Sequence, residues 1–293
     1  MFPVVFRIGS FPITSFGVMM FLSFVVGAWI LGRQLERYGL PRPLAWDLLA
    51  WIAVGGIVGA KAWYLALHPA EFAASPIGAI FSRGGLVWYG GFVGGVLAYW
   101  FQVRARKLPM ATMFDATAPA LAIAIALGRV GCFLVGDDYG LPTNSRFGVT
   151  FPQGASPPST AGYLRSVGAD IPTSVPDEQL VAVHPTQLYE IAIILVVFAF
   201  LLRWSRARHR QGAMFALFMI LYSIERFFIE ILRAKGDRIV FGLSTAQAAS
   251  ILLVLLGIVA LLRSRSAPIA PEPVPAPAAA GKGKAPDKRR APR

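Results

Sequence analysis

The sequence predicts an all-α polytopic membrane protein, a bundle of about seven transmembrane helices with a small cap facing outward. Hydrophobic residues make up 56% of the 293 residues. Charged residues make up only 15%, against roughly a quarter in soluble domains. The apolar residues are collected in runs close to the ~20 needed to cross a hydrocarbon core. Basic residues lie between these runs, as they do in the loops that set membrane orientation.

The apolar runs place the spans near residues 14–32, 44–66, 85–103, 112–135, 186–202, 212–232 and 243–262. The third run contains Gly90-Gly91 and Gly94-Gly95, which permit close helix contact or a bent, re-entrant entry. We expect the long loop 136–185, rich in Gly, Pro, Ser and Thr, to form a cap with one or two short elements. Residues 1–265 then form a membrane domain, and residues 266–293 form a disordered, basic, Pro/Ala-rich tail.

The distribution of basic residues predicts the orientation of the bundle. The tail and the loops after the first, third and fifth spans hold most of the chain's 28 Lys and Arg. By the positive-inside rule these segments face the cytoplasm, as does the C-terminus, while the N-terminus and the loop 136–185 lie outside. The net charge of +13 therefore reflects membrane orientation, and we predict no nucleic-acid partner.

Ionisable residues inside apolar spans are costly and therefore indicate function. Arg129 ends the fourth span between Gly128 and Gly131, and Arg226, Glu230 and Arg233 share one face of the sixth span. One interpretation is an ion-pair ladder between Arg226 and Glu230. The favoured interpretation is an anion site made by Arg129 and Arg226, with Glu230 orienting one guanidinium. A guanidinium suits phosphate because its planar fork donates two parallel hydrogen bonds.

Two further groups of polar residues flank these arginines along the chain. The segment HPTQLYE places His184, Gln187 and Tyr189 at the mouth of the fifth span, where Tyr189 also fits a role as interface anchor. Asp137 and Asp138 are adjacent carboxylates, a weak signal for a metal without further ligands. We therefore predict neither a metal nor a cofactor.

Four motifs together resemble the prolipoprotein diacylglyceryl transferases of bacterial inner membranes. They are GGLVWYGGFVGG at 84–95, GRVGCFLVGDDYG at 128–140, HPTQLYE at 184–190 and ERFFIEILR at 225–233. Their order and spacing agree with that family over roughly residues 10–265. The resemblance implies a multi-pass inner-membrane enzyme. It would transfer a diacylglyceryl group from phosphatidylglycerol to the lipobox cysteine of preprolipoproteins and release glycerol phosphate.

The resemblance also implies roles for individual residues. Arg129 and Arg226 correspond to the phosphate-handling arginines, Gly140 closes the signature, and Glu230 and Arg233 flank the site. We place His184, Gln187 and Tyr189 in the same substrate-binding set.

The chain departs from the family pattern at several positions. Tyr89 stands where many members have a histidine assigned as general base, so Tyr89 becomes the candidate for that role. Cys132 and Val135 stand where the signature has asparagine, Asp137 where it has glutamate, and Phe16 where it has tyrosine.

These departures leave two alternatives to the transferase. One is a divergent paralogue that binds phospholipid with another transferase activity or none. The other is an anion transporter, which the lack of an internal repeat disfavours.

Overall fold

The structure, a computed structural model, describes residues 2–9, 11–82, 85–152, 157–234, 238–240 and 242–269. Its short strands are β1 (Val4–Ile8), β2 (Phe11–Thr14), β3 (Arg238–Val240) and β4 (Leu243–Ser244). Its helices are α1 (Ser15–Arg37), α2 (Leu44–Leu67), α3 (Pro69–Ala74), α4 (Pro76–Phe81), α5 (Trp88–Ala105), α6 (Met110–Val135), α7 (Ala161–Ser166), α8 (Thr186–Trp204), α9 (Ala213–Leu232) and α10 (Thr245–Ser264). The predicted disordered tail falls mostly on residues 270–293, which lie outside the described residues.

The all-α polytopic class is confirmed, and each predicted span corresponds to one long helix. Five of these helices, α1, α2, α6, α8 and α10, are long and apolar enough to cross a membrane. Helix α9 carries the three charged residues Glu225, Arg226 and Glu230. The hydropathy of α5 is lowered by its glycines, its tryptophans and its polar last turn. The exact number of seven spans therefore stays a prediction.

The helices pack mainly in pairs: α2 on α5, α1 on α6, α6 on α8, and α9 on α10. Glycines allow α2 and α5 to approach each other closely. A Cβ added at Gly94 would collide with the backbone of Gly55 and Gly59 on α2, so the paired glycines serve close helix contact. The third span begins as an ordinary helix at Trp88, after extended residues.

Contacting residues follow in opposite order on α2 and α5, and on α1 and α6, so these helices are antiparallel and the bundle has two distinct ends. The C-terminal ends of α6 and α9 meet the N-terminal end of α8 at one of them. Described residues of the segment 136–185 pack at this end, where they include α7 and a small core formed with Ala234. That core contains the aromatic rings of Tyr139 and Phe151, which stack with their centroids 4.8 Å apart. The described residues of this loop contain one short helix, α7, and the place of the loop as an outer cap stays a prediction.

The opposite end is fastened by buried polar groups. Asp115 on α6 accepts hydrogen bonds from the backbone N–H groups of Gly212, at 2.6 Å, and Phe215, at 2.9 Å. It thereby caps the N-terminus of α9. His209 lies beside it, with Nε2 3.0 Å from the hydroxyl of Tyr38 at the end of α1. These contacts join three helices far from the arginines and fix how α9 enters the bundle.

Candidate active site

Arg129 lies in the last turns of α6 and faces two carboxylates. Its Nη1 donates to Asp138 Oδ2 at 2.9 Å, and its Nε forms an ion pair with Glu190 Oε2 on α8. Asp138 follows α6 almost directly because the helix ends at Gly136, whose φ of +77° turns the chain. Arg129 lies before this chain turn and Asp138 after it, so the guanidinium and the carboxylate face each other at the end of α6.

Two further arginines come from the end of α9: Arg226 lies within the helix and Arg233 directly follows its last residue. Arg226 Nη1 lies 2.6 Å from Glu230 Oε2, one helical turn along the same face. Arg233 Nε lies 3.7 Å from the same oxygen, and Arg233 Nη2 pairs with Asp138. The predicted ion-pair ladder on this helix is therefore present. It is also joined to α6, because Asp138 contacts both Arg129 and Arg233.

Glu190 is the centre of this network, which we call the arginine–carboxylate cluster: Arg129, Arg226, Arg233, Asp138, Glu190 and Glu230. Glu190 Oε1 lies 3.9 Å from both Arg226 Nη1 and Arg233 Nη1, while Oε2 pairs with Arg129. Its side chain is only 4% exposed. Sequence analysis left Glu190 out of the binding set, although a carboxylate beside an apolar span was a signal that it had a function.

The cluster is formally neutral, but its three arginines differ in access. The side chain of Arg129 is 17% exposed and that of Arg226 is 14% exposed, whereas that of Arg233 is 1% exposed. Arg226 Nη1 makes no hydrogen bond of acceptable geometry to the described residues, despite its ion pairs. Arg129 and Arg226 are thus the more accessible arginines of the cluster, and buried carboxylates hold both in place.

Two more polar side chains of α9 border the cluster, and sequence analysis gave neither a role. Glu225 is 6% exposed, interacts electrostatically with Glu190 and both accessible arginines, and has one carboxylate oxygen without a hydrogen bond in the described part of the chain. Tyr222, one turn earlier, interacts with the same groups. Glu225 is therefore enclosed within the bundle beside the site.

The HPTQLYE segment anchors the turn that carries Asp138. Gln187 Nε2 donates to the carbonyl of Asp137 at 2.5 Å, and Thr186 Oγ1 donates to that of Asp138 at 2.8 Å. His184 accepts the Gly140 N–H through its carbonyl at 2.8 Å, and its ring Nδ1 lies 3.3 Å from the hydroxyl of Tyr189. These predicted binding residues meet the cluster mainly through the backbone of residues 137–140.

Gly140 is required at this point by close packing. A Cβ there would lie 2.6 Å from the carbonyl oxygen of Leu232 and 2.9 Å from side-chain atoms of His184 and Thr186. Only glycine lets the turn after α6 pass between the end of α9 and the start of α8.

Tyr89 lies apart from the residues above. It lies in the first turn of α5, at the same end of the bundle as the cluster, and the residue is 63% exposed. Its ring meets that of Trp88 edge to face, with centroids 5.3 Å apart. Among the described residues no hydrogen bond or ion pair joins Tyr89 to Arg129, so its predicted catalytic role stays a prediction.

Cys132, Asp137 and Asp138 bring possible metal ligands within 4.8 Å of one another. Asp138 is already paired with the guanidinium groups of Arg129 and Arg233, however, and these two positive charges repel a metal cation. Cys132 Sγ itself lies 3.9 Å from Arg129 Nη1. Two of the three possible ligands are therefore already in contact with a guanidinium.

Fold and site together define a class: a polytopic membrane protein with accessible arginines, held by buried carboxylates, at one end of its bundle. The family model "Prolipoprotein diacylglyceryl transferase" matches residues 3–263. The chain belongs to this family.

Individual relatives are similar over nearly their whole length. A phosphatidylglycerol–prolipoprotein diacylglyceryl transferase of Gloeobacter violaceus is 33% identical over 274 residues, covering 90% of this chain and 94% of the relative. One from Xanthomonas axonopodis pv. citri is 31% identical, covering 91% and 92%. One from Clostridium tetani is 28% identical, covering 87% and 95%. The family resemblance inferred from the motifs is thereby confirmed.

Proposed function

We propose that this protein transfers a diacylglyceryl group from phosphatidylglycerol to the thiol of the lipobox cysteine of preprolipoproteins. The observation that carries the proposal is the pair of accessible arginines, Arg129 and Arg226, joined through the buried carboxylate of Glu190. Family membership supports the same activity, since the similar relatives are named for these two substrates.

The reaction replaces one bond to carbon by another. The cysteine sulfur attacks the glyceryl carbon that bears the phosphate ester, a C–S bond forms, and the C–O bond to phosphate breaks. The electron pair of that bond leaves on glycerol phosphate, and the thiol proton passes to an acceptor. The two substrates supply both the diacylglyceryl group and the thiol that accepts it, so the proposed reaction needs no cofactor.

Arg129 and Arg226 are suited to the departing phosphate. Negative charge develops on the phosphate as the C–O bond breaks, and fixed cations stabilise such charge strongly in a site with little water. Each guanidinium is held by a carboxylate before the substrate arrives, so little reorganisation is needed. Glu230 and Arg233 act as positioning residues, as do His184, Gln187, Tyr189 and Gly140 through the turn at 137–140.

The thiol must lose its proton, because the thiolate is the nucleophile and a free cysteine has a pKa of about 8.5. Tyr89 is our proposed acceptor of this proton. Tyr89 is exposed in the first turn of α5, which leaves it open to a substrate at this end of the bundle. His184 and bound water are the other groups considered for this step.

We further propose that the chain lies in the bacterial inner membrane with its N-terminus outside and its C-terminus in the cytoplasm. The basic loops at the end opposite the arginine–carboxylate cluster support this orientation. Residues 1–265 would then be the membrane domain, with residues 136–185 as an outer cap and residues 266–293 as a cytoplasmic tail. Reporter fusions test it: a cytoplasmic reporter signal from the loop 136–185 would contradict it.

Purified protein incubated with labelled phosphatidylglycerol and a lipobox peptide tests the activity. We expect a thioether-linked diacylglyceryl peptide, and no product with a peptide whose cysteine is replaced by serine. Phospholipid binding without product would instead favour a divergent paralogue. Anion uptake by proteoliposomes in the absence of transfer would favour a transporter.

A further inference from the structure

Asp138 is a carboxylate on the open side of the arginine that we assign to the lipid phosphate. It contacts Arg129 Nη1 with one oxygen, at 2.9 Å, and Arg233 with the other. The side chain of Asp138 is 28% exposed, whereas that of Arg233 is only 1% exposed. Of these two contacts, the one to Arg129 is therefore the one that an incoming anion meets first.

Arg129 has a second carboxylate partner of a different kind. Glu190 is buried on α8 and holds the Nε of Arg129, while Asp138 belongs to a turn and holds Nη1. If the contact with Asp138 is lost, Glu190 still fixes the guanidinium and Nη1 becomes available. Arg226, whose Nη1 makes no hydrogen bond to the described residues, lies within reach of the same Glu190.

The backbone of Asp138 is held independently of its carboxylate. Its φ is +61°, in the left-handed region that only a few side chains adopt easily. Its carbonyl accepts the hydroxyl of Thr186 at 2.8 Å, and the neighbouring carbonyl of Asp137 accepts Gln187. Rotation of the side chain is therefore enough to release Arg129, and the turn itself need not move.

We propose that Asp138 is an exchangeable counter-ion of the phosphate site. The phosphate ester of the substrate displaces the Asp138 carboxylate from Arg129 on binding, and the carboxylate returns as the phosphate product leaves. This inference rests on the proposed function for the identity of the anion. The exchange weakens the hold on a phosphate product and keeps small anions from occupying the site.

Asp138→Asn tests the exchange, because asparagine keeps the size of the side chain and tolerates the same left-handed backbone. The purified full chain is titrated calorimetrically with glycerol phosphate and, separately, with inorganic phosphate. The variant is expected to bind glycerol phosphate at least about fivefold more tightly, since one charge-assisted competitor is gone.

Kinetics with phosphatidylglycerol in mixed micelles provide a second readout. Asp138→Asn is expected to lower KM and also kcat, because substrate binds better and product leaves more slowly. A lowered KM with unchanged affinity for inorganic phosphate would identify the lipid headgroup as the anion that is exchanged. Asp177→Asn is the matched control: Asp177 pairs with Arg165 in the cap, and its loss should leave both readouts unchanged.

Unchanged or weaker binding of glycerol phosphate by Asp138→Asn would overturn the exchange. So would a variant that no longer elutes as a folded protein, since Asp138 would then be structural. Failure of the proposed function gives a different pattern: the native chain would make no thioether product, while tighter phosphate binding by the variant would still support the exchange.

Discussion

Replacing Arg129 by lysine keeps the positive charge but removes the fork that joins two carboxylates. Arg129 uses Nε for Glu190 and Nη1 for Asp138, and a single ammonium cannot take both positions. An ammonium held by Glu190 therefore loses one charge-assisted hydrogen bond to the phosphate, the one that Nη1 donates once Asp138 is displaced, and such a bond is worth about 1.5–3 kcal/mol. At 1.4 kcal/mol for each factor of ten, this corresponds to roughly 10- to 150-fold. We therefore expect Arg129→Lys to lower turnover by about 10²-fold, while the protein still inserts and folds.

The assay is transfer of labelled diacylglycerol to a lipobox peptide by purified protein, with amounts matched by size-exclusion chromatography. Arg106→Lys is the control, since Arg106 makes a single ion pair with Asp47 at 3.2 Å at the other end of the bundle. Exposed pairs of that kind contribute little, so its turnover should stay within about twofold. If Arg129→Lys also kept near-native turnover, Arg129 would be structural and the account of phosphate handling wrong.

Three further variants test the support of the site and the proton acceptor. In Glu190→Gln the three arginines lose one buried carboxylate. We expect the free energy of unfolding, measured by denaturation in detergent, to fall by about 3–5 kcal/mol. Unchanged stability would contradict the central place of Glu190. Gly140→Ala should lower the melting temperature, because its methyl group would collide with the backbone at Leu232. Gly128→Ala should leave the melting temperature unchanged, because a Cβ there has nothing within 4 Å. Equal effects of the two variants would refute the packing argument. Tyr89→Phe removes only a hydroxyl, and we expect turnover to fall by about 10²-fold or more, the usual contribution of acid–base catalysis. Silent kinetics for Tyr89→Phe would move the acceptor to His184 or water.

The spans and the arginines were predictable because both follow from the properties of hydrocarbon. Apolar runs of the right length define helices, and a charge within such a run is costly enough to indicate function. Arg129 and Arg226 stood out for that reason. The contact of Arg226 with Glu230 followed from helical spacing alone.

The role of Glu190 was not predictable in the same way. It depends on three helix ends meeting at one place, and spacing along the chain does not show which helices meet. The role of Asp138 was hidden for a related reason, because beside Asp137 it gave only a weak signal for a metal, which sequence analysis did not follow. Its partners Arg129 and Arg233 come from the ends of two different helices.

The short elements at the ends of the bundle were missed by sequence analysis. Strands β1 and β2 form a hairpin before the first span, and α3 and α4 each begin at a proline, a common first residue of a helix. Such elements carry little periodicity, so a search for membrane spans passes over them.

The central claim is that the C–O bond to phosphate breaks while sulfur takes the diacylglyceryl group. Phosphatidylglycerol labelled with ³H in its acyl chains and ³²P in its phosphate tests this claim directly in the purified system. The account predicts that ³H appears on the lipobox cysteine while an equal amount of ³²P appears as water-soluble glycerol phosphate. Appearance of ³²P on the peptide, or binding of lipid with neither label transferred, would contradict it.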